Sequence, residues 1–335
     1  MSLVSRRRNA FMAFSAALVL SLTVGVVSAA PSSDALAFVP SDATTVGMIR
    51  LSDMRNSPLT ARLFTETDRL SADGEAKRFL KEAGLDPARD VDVLVATTSP
   101  RDGQPNEPAA LVIAEGRFNV QRLSDAIQSR GATSKRAAGK TYYLLEEKGE
   151  DRHGQRGAVA FIDSGVVIAG SEESVVEALQ QKGRANFREA SIIGRELSRI
   201  DTRATAWALV DLARTRRFQG SLRMPTAGGP SADSLSSAMK SVSVLGISTM
   251  DTGEALKISA FGISNDAETR DLLEDTLRGL TAAWRLAAQE KAPELVSALR
   301  KFNIDQTGDS VTIEGSIPAS MLKNFAKHST KHRAK

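Results

Sequence analysis

Strand and helix signals alternate along the whole chain, and near residue 205 the alternation starts again. An apolar, β-rich run over residues 45–51 leads to Ser57-Pro58. There a capping hydroxyl precedes a proline at the first helical position. Leu59, Leu63 and Leu70 then share one helical face, and a second helical pattern over 74–83 ends at Gly84, where a C-terminal cap belongs. Val91, Val93 and Val95 alternate as a half-buried strand does. A proline-bearing loop over 99–108 separates them from an apolar strand at 109–114, and Asn119 caps a helix closed by Gly131. A strand at 141–145, a charged loop at 148–157 and a hairpin turning on Asp163-Ser164-Gly165 follow. A helix capped by Ser171 and carrying Val175, Val176 and Leu179 completes the first pass.

The second pass uses similar words. Residues 205–212 resemble 45–54, Val244-Leu245 opens a strand as Val93-Leu94 does, and Ala255-Leu256 opens its partner as Ala110-Leu111 does. Each partner strand leads into a capped helix, from Asn119 in one half and from Asn265 in the other. The expectation is an α+β fold of two tandem related units, each a mainly antiparallel sheet packed against helices, with one long C-terminal helix. The first unit spans 30–185 and the second 186–327, with a basic disordered tail over 328–335. The offset is too long for a solenoid. Residues 219–234, rich in Gly, Pro and Ser, read as a mobile excursion from the second unit.

The long helix is expected over residues 266–302. Leu273, Leu277, Leu280, Trp284 and Ala287 recur at spacings of four, three, four and three, and Leu295, Leu299 and Phe302 continue the stripe loosely. Such a stripe packs across a sheet, with Pro293 kinking or breaking the helix. A dimer seam is the competing use, but no ladder of opposite charges flanks this stripe.

The first 29 residues give the chain an address. Arg6, Arg7 and Arg8 precede an uncharged run over 10–27, and Val27-Ser28-Ala29 ends in a small residue. This is the order of a secretory signal peptide cleaved after Ala29. An uncleaved anchor is the lesser reading, because the run of about 17 residues reaches only the short limit for a membrane span. Asn9 weakens a twin-arginine route. The protein is therefore expected in the periplasm or secreted. It has no cysteine, which excludes disulfides and a lipoprotein anchor, so the core alone must hold the fold.

The net charge of +4 belongs to the ends. The leader holds three arginines and no acid. The C-terminal run holds Lys323, Lys327, Lys331, Arg333 and Lys335 and no acid. The body between them has more acids than bases, so no basic stripe for specific nucleic-acid binding is expected. The tail could make weak, salt-sensitive contact with anionic surfaces.

No residue pattern announces catalysis. His328 and His332 stand one helical turn apart, but in a polar tail with no nearby carboxylate. His153 sits in the charged loop. Ser164 and Ser171 beside glycines fit a turn and a helix cap. Glu146-Glu147 and Glu172-Glu173 are adjacent, so each pair points apart. Gly228-Gly229-Pro230 lacks the lysine and the strand–helix context of a phosphate loop. No catalytic, cofactor-binding or metal-binding residue is assigned, and no cofactor is expected.

The segments Ala37-Phe38-Val39-Pro40-Ser41-Asp42-Ala43 and Val46-Gly47-Met48-Ile49 resemble exported bacterial proteins of unknown function that open with a Val-Pro-x-Asp-Ala segment. The stretch from Ala110-Leu111-Val112 to Ile168-Ala169-Gly170-Ser171 is similar to the same group. The resemblance implies an exported protein and no known activity, cofactor or site residue. The expectation is an exported envelope protein with a non-enzymatic binding or structural role and an unknown envelope partner. Two alternatives stay open: a periplasmic carrier with an apolar cavity lined by Leu277, Leu280 and Trp284, and an enzyme whose acid–base carboxylates converge only in the fold. The oligomeric state is left open.

Overall fold

The computed structural model describes residues 35–55, 57, 75–101, 108–145, 156–181, 187–219, 239–289 and 293–321. The chain divides into two compact units, Met1–Arg195 and Glu196–Lys335. It is an α+β protein built on antiparallel sheet, with a long helix near its C-terminus.

The first unit opens with a 3-10 turn, Ala35–Phe38, whose Ala35 amide donates to the buried Glu115 carboxylate at 2.6 Å. β1 (Thr45–Arg50) then alternates strictly, with Val46, Met48 and Arg50 facing inward. Two helices, α1 (Glu75–Ala83) and α2 (Pro87–Asp90), precede β2 (Val91–Ser99). β3 (Ala109–Gly116), α3 (Val120–Gln128), β4 (Thr133–Ala137), β5 (Lys140–Leu145), β6 (Gly157–Phe161), β7 (Val166–Ser171) and α4 (Glu172–Gln181) follow. Two single-turn helices, α5 (Phe187–Ala190) and α6 (Ile192–Arg195), end the unit.

Its strands lie in the order β1-β2-β3-β7-β6-β5-β4, each antiparallel to its neighbour. β2 lies between β1 and β3 and is buried along most of its length, as a central strand must be. β4 is an edge of Thr-Ser-Lys-Arg-Ala with four exposed residues, and charges of this kind discourage further strand pairing. One face of the sheet packs Leu94 with Leu51, Met54 and Ala83, and with Phe118 and Leu123 leading into and along α3.

The second unit begins with a 3-10 turn, Glu196–Arg199, and continues through β8 (Ala206–Asp211), α7 (Leu212–Gln219), β9 (Val244–Asp251) and β10 (Ala255–Ile263). Then come α8 (Ala267–Ala288), α9 (Pro293–Leu299), β11 (Asn303–Thr307) and β12 (Ser310–Pro318). The order is β8-β9-β10-β12-β11, again antiparallel throughout. Ala260 of β10 faces Ile247 on one side and Ile313 on the other. Phe302 seats its ring against Gly315, where a Cβ would come within 2.5 Å of the ring, so only glycine admits that contact. The core gathers Leu212, Val242, Leu273, Ile304 and Val311.

The two units run their strands by one rule. A first strand, two consecutive neighbours, a helix and a returning meander follow in turn, and the last strand of the meander pairs with the third strand. In the first unit the meander has four strands, β4 to β7, and in the second it has two, β11 and β12.

The helix read over 266–302 divides at Pro293, as expected: α8 ends at Ala288 and Pro293 opens α9, the position proline tolerates best. Two expectations need correction. The cap of α8 is Asp266, not Asn265, because the Asp266 carboxylate accepts from the Thr269 amide at 2.9 Å. The stripe on α8 is buried at Leu273 and half-buried at Leu277 and Leu280, but exposed at Trp284. The leader, the helix read from Ser57-Pro58 beyond Ser57, most of the 219–234 excursion and the tail lie outside the described residues.

The outer face of the long helix as candidate site

α8 is started by its cap. The Asp266 carboxyl is held below its usual range, first by the hydrogen bond from the Thr269 hydroxyl and then by the Thr269 amide. Polar contacts then fix the helix on its own sheet. An Arg270 guanidinium nitrogen donates to the Ser264 carbonyl at 2.7 Å, Gln306 of β11 donates to Asp271 at 2.7 Å, and Arg278 donates to the Ile304 carbonyl at 3.1 Å. Arg278 also pairs with Glu274 one turn back.

The face turned to the protein carries Leu273, Leu277, Thr281 and Ala288. Leu273 is 3% exposed and packs in the core with Leu277 against it. Thr281 is buried because its hydroxyl donates to the Leu277 carbonyl at 2.8 Å, which satisfies it within the helix. The expected stripe therefore divides. Leu273 and Leu277 face inward, but Trp284 is 59% exposed.

The opposite side of α8 is apolar too. Leu272 is 54% exposed and Leu286 is 72% exposed. Leu272, Thr276, Gly279, Ala283 and Leu286 recur at spacings of four, three, four and three. At about 100° per residue they fall within an arc of about 80°. Between Leu272 and Leu286 that arc holds no charged residue. Gly279 and Ala283 are exposed, and nothing lies within 4 Å of where a Gly279 Cβ would sit. Beside α8, a half-open depression of about 270 Å³ is lined by Arg278, Thr281, Arg285, Phe302, Asn303 and Ile304. Its lining is polar, and it includes none of Leu277, Leu280 and Trp284, the residues expected around an apolar ligand.

The other residues weighed from sequence occupy structural positions. Glu172 accepts from the Lys135 ammonium at 2.9 Å and the Tyr142 hydroxyl at 3.0 Å, while Glu173 pairs with Arg101 at 3.5 Å. The two neighbouring carboxylates thus take separate partners. The bond from Lys135 leads in holding the Glu172 carboxyl below its usual range. The Tyr142 hydroxyl is pushed up, by burial first and then by Glu172. Ser171 accepts from the Ser174 amide at 3.3 Å and its hydroxyl lies 2.7 Å from that of Ser174, which is capping geometry. Ser164 belongs to the hairpin turn in which Asp163 accepts from the Gly165 and Val166 amides. Asp211, missed in the sequence as a cap, is buried and accepts from the Arg214 amide at 2.8 Å. Its signal was the Asp-Leu that ends β8 and opens α7.

His153, His328, His332, Glu146-Glu147, Gly228-Gly229-Pro230 and the basic tail lie outside the described residues. Among the described residues, no group of three or more His, Cys, Asp or Glu could hold a metal ion, and no helix is long and apolar enough to cross a membrane.

No family model matches the chain, and no curated protein matches it. Solved structures of TP0453 are similar to it in outline. Crystal form III shares 12% identity over 85% of this chain and 94% of that one, with a TM-score of 0.48. Crystal form I shares 14% over 86% and 94%, with a TM-score of 0.45. Crystal form IV shares 12% over 87% and 95%, with a TM-score of 0.44.

Proposed function

We propose that this protein is exported to the bacterial envelope and acts there as a non-enzymatic binding module, with the outer face of α8 as its docking surface for a protein partner. One observation carries the reading: α8 buries one apolar stripe and presents a second to solvent. A helix on a protein surface needs only one apolar face, and contiguous apolar surface left in water marks a contact surface. Leu272 and Leu286 are more than half exposed. Their spacing is that of side chains set between those of a second helix. Glu268, Asp271 and Asp275, exposed along the N-terminal half, would be repelled by an anionic lipid surface.

Export rests on the leader: three arginines, an uncharged apolar run, and a small residue at Ala29. The absence of cysteine suits a fold held by hydrophobic cores, one in each unit.

Chemical crosslinking in native envelope followed by capture of the protein tests the reading. Wild type should yield a discrete adduct, and L272E/L286E should lose it. An adduct of equal strength in the double variant places the binding surface elsewhere.

A further inference from the structure

Resting on that reading of α8, we infer that the occupant of its outer face is a second copy of the same chain, packed antiparallel and crossing near Gly279. The face is symmetric about that glycine. Leu272 lies seven residues before it and Leu286 seven after, with Thr276 and Ala283 between. A two-fold axis at Gly279 brings each Leu272 to the second copy's Leu286 and each Thr276 to within one residue of its Ala283. An isologous contact requires this self-complementarity of one patch with itself.

The residue sizes suit a close crossing. The two large side chains stand at the ends, and the middle is Gly279 and Ala283, with open space where a Gly279 Cβ would be. Interaxial distance is set by the side chains at the contact, so two such helices can approach nearer than a leucine seam allows.

Charge selects the direction. The N-terminal half of α8 carries Glu268, Asp271, Glu274 and Asp275 against the single base Arg270. The C-terminal half, from Arg278 to Gln289, carries Arg278 and Arg285 and no acid. An antiparallel pair sets the acidic half of each helix beside the basic half of the other. A parallel pair sets Glu268, Asp271 and Asp275 beside their own copies, Glu274 being paired with Arg278 within the helix. The contact covers about four turns of one helix, so it fits a concentration-dependent dimer of micromolar affinity more than an obligate one.

Sedimentation equilibrium of the exported protein tests this. At about 100 μM, well above a micromolar Kd, the average mass should approach twice that of the chain. L272E/L286E should reduce it to the monomer with an unchanged far-UV spectrum, and with the wild-type melting temperature at concentrations below the Kd, because both leucines face solvent. A283E alone should do the same and serves if the double variant folds poorly. The natural absence of cysteine makes direction readable with a short bismaleimide. G279C should crosslink to itself, L272C alone should not, and L272C mixed with L286C should. A monomer at the highest concentration, a dimer indifferent to L272E/L286E and A283E, or L272C crosslinking to itself as well as G279C does would each overturn the inference. A monomer in solution combined with an L272E/L286E-sensitive envelope adduct to another protein overturns the self-pairing alone and leaves the docking face in place.

Discussion

Leu273→Ala separates the two faces of α8 by energy. Leu273 is 3% exposed and touches the core of the second unit formed by Leu212, Val242, Ile304 and Val311. Its Cδ2 lies 3.4 Å from the position of a Cβ on Gly262, so the strand beneath it is in van der Waals range. Truncation removes three methyl or methylene groups, at about 0.8 kcal/mol each for lost burial. The glycine below has no side chain to move into the gap, so a cavity term adds to this. The expected loss is about 3–4 kcal/mol, inside the range for buried leucines. Leu286→Ala, on a side chain 72% exposed, should cost no more than about 0.5 kcal/mol. Leu280→Ala, at a half-buried position, should fall between them. Urea unfolding followed by tryptophan fluorescence at about 0.1 μM protein, well below a micromolar Kd, measures all three without a contribution from association. A loss below about 1 kcal/mol for Leu273→Ala, or a larger loss for Leu286→Ala than for Leu273→Ala, refutes the assignment of inner and outer faces.

Other expectations follow from the same structure. Gly84 ends α1 at φ +64°, so Gly84→Ala should cost about 1 kcal/mol in urea unfolding, more if the Arg122 guanidinium that packs there cannot shift. Glu172 has its carboxyl lowered by Lys135 and Tyr142, so its contribution to stability is complete above the unfolded carboxyl range and is lost as pH falls through the lower folded value. Glu172→Gln should therefore flatten the acid limb of a stability–pH curve, and an unchanged limb would show the contacts to be energetically idle. N-terminal sequencing of envelope protein should begin at Ala30, and recovery of an intact Met1 in the cytoplasm contradicts export. Deletion of residues 323–335 should leave the melting temperature unchanged and abolish any low-salt retention on anionic vesicles, because exposed charges are screened within about 8 Å at physiological ionic strength.

Much of the fold was legible because its inner strands obey period two. Val46 and Met48 alternate in β1, and β2, β3, β6 and β7 are bounded by turn residues as the sequence indicates. β4 and β11 were not legible. Thr133–Ala137 and Asn303–Thr307 are edges with four exposed residues each, so partners that come later in the chain define them, not their own pattern. α8 was legible as a helix but not in its rotation. It is apolar on two sides, and a reading by hydrophobicity prefers Leu280 and Trp284 to Thr281. The buried choice is Thr281, because a threonine that bonds the carbonyl one turn back leaves no polar atom to solvate. The outer heptad, displaced by one residue from the one read in the sequence, becomes visible only when the inner face is known. Arg50 and Glu115 are buried charges that composition alone places on the surface. The Ala35 amide, 80 residues away in sequence, is what Glu115 meets.

The central claim is that the outer face of α8 is covered in the envelope. A photo-crosslinking amino acid placed at position 286 in living cells tests this most directly, with position 289, an exposed residue off the apolar arc, as its control. The account predicts a discrete protein adduct from 286, at twice the mass of the chain if the partner is a second copy, and little or none from 289. Equal adducts at both positions, or none at 286, would contradict it.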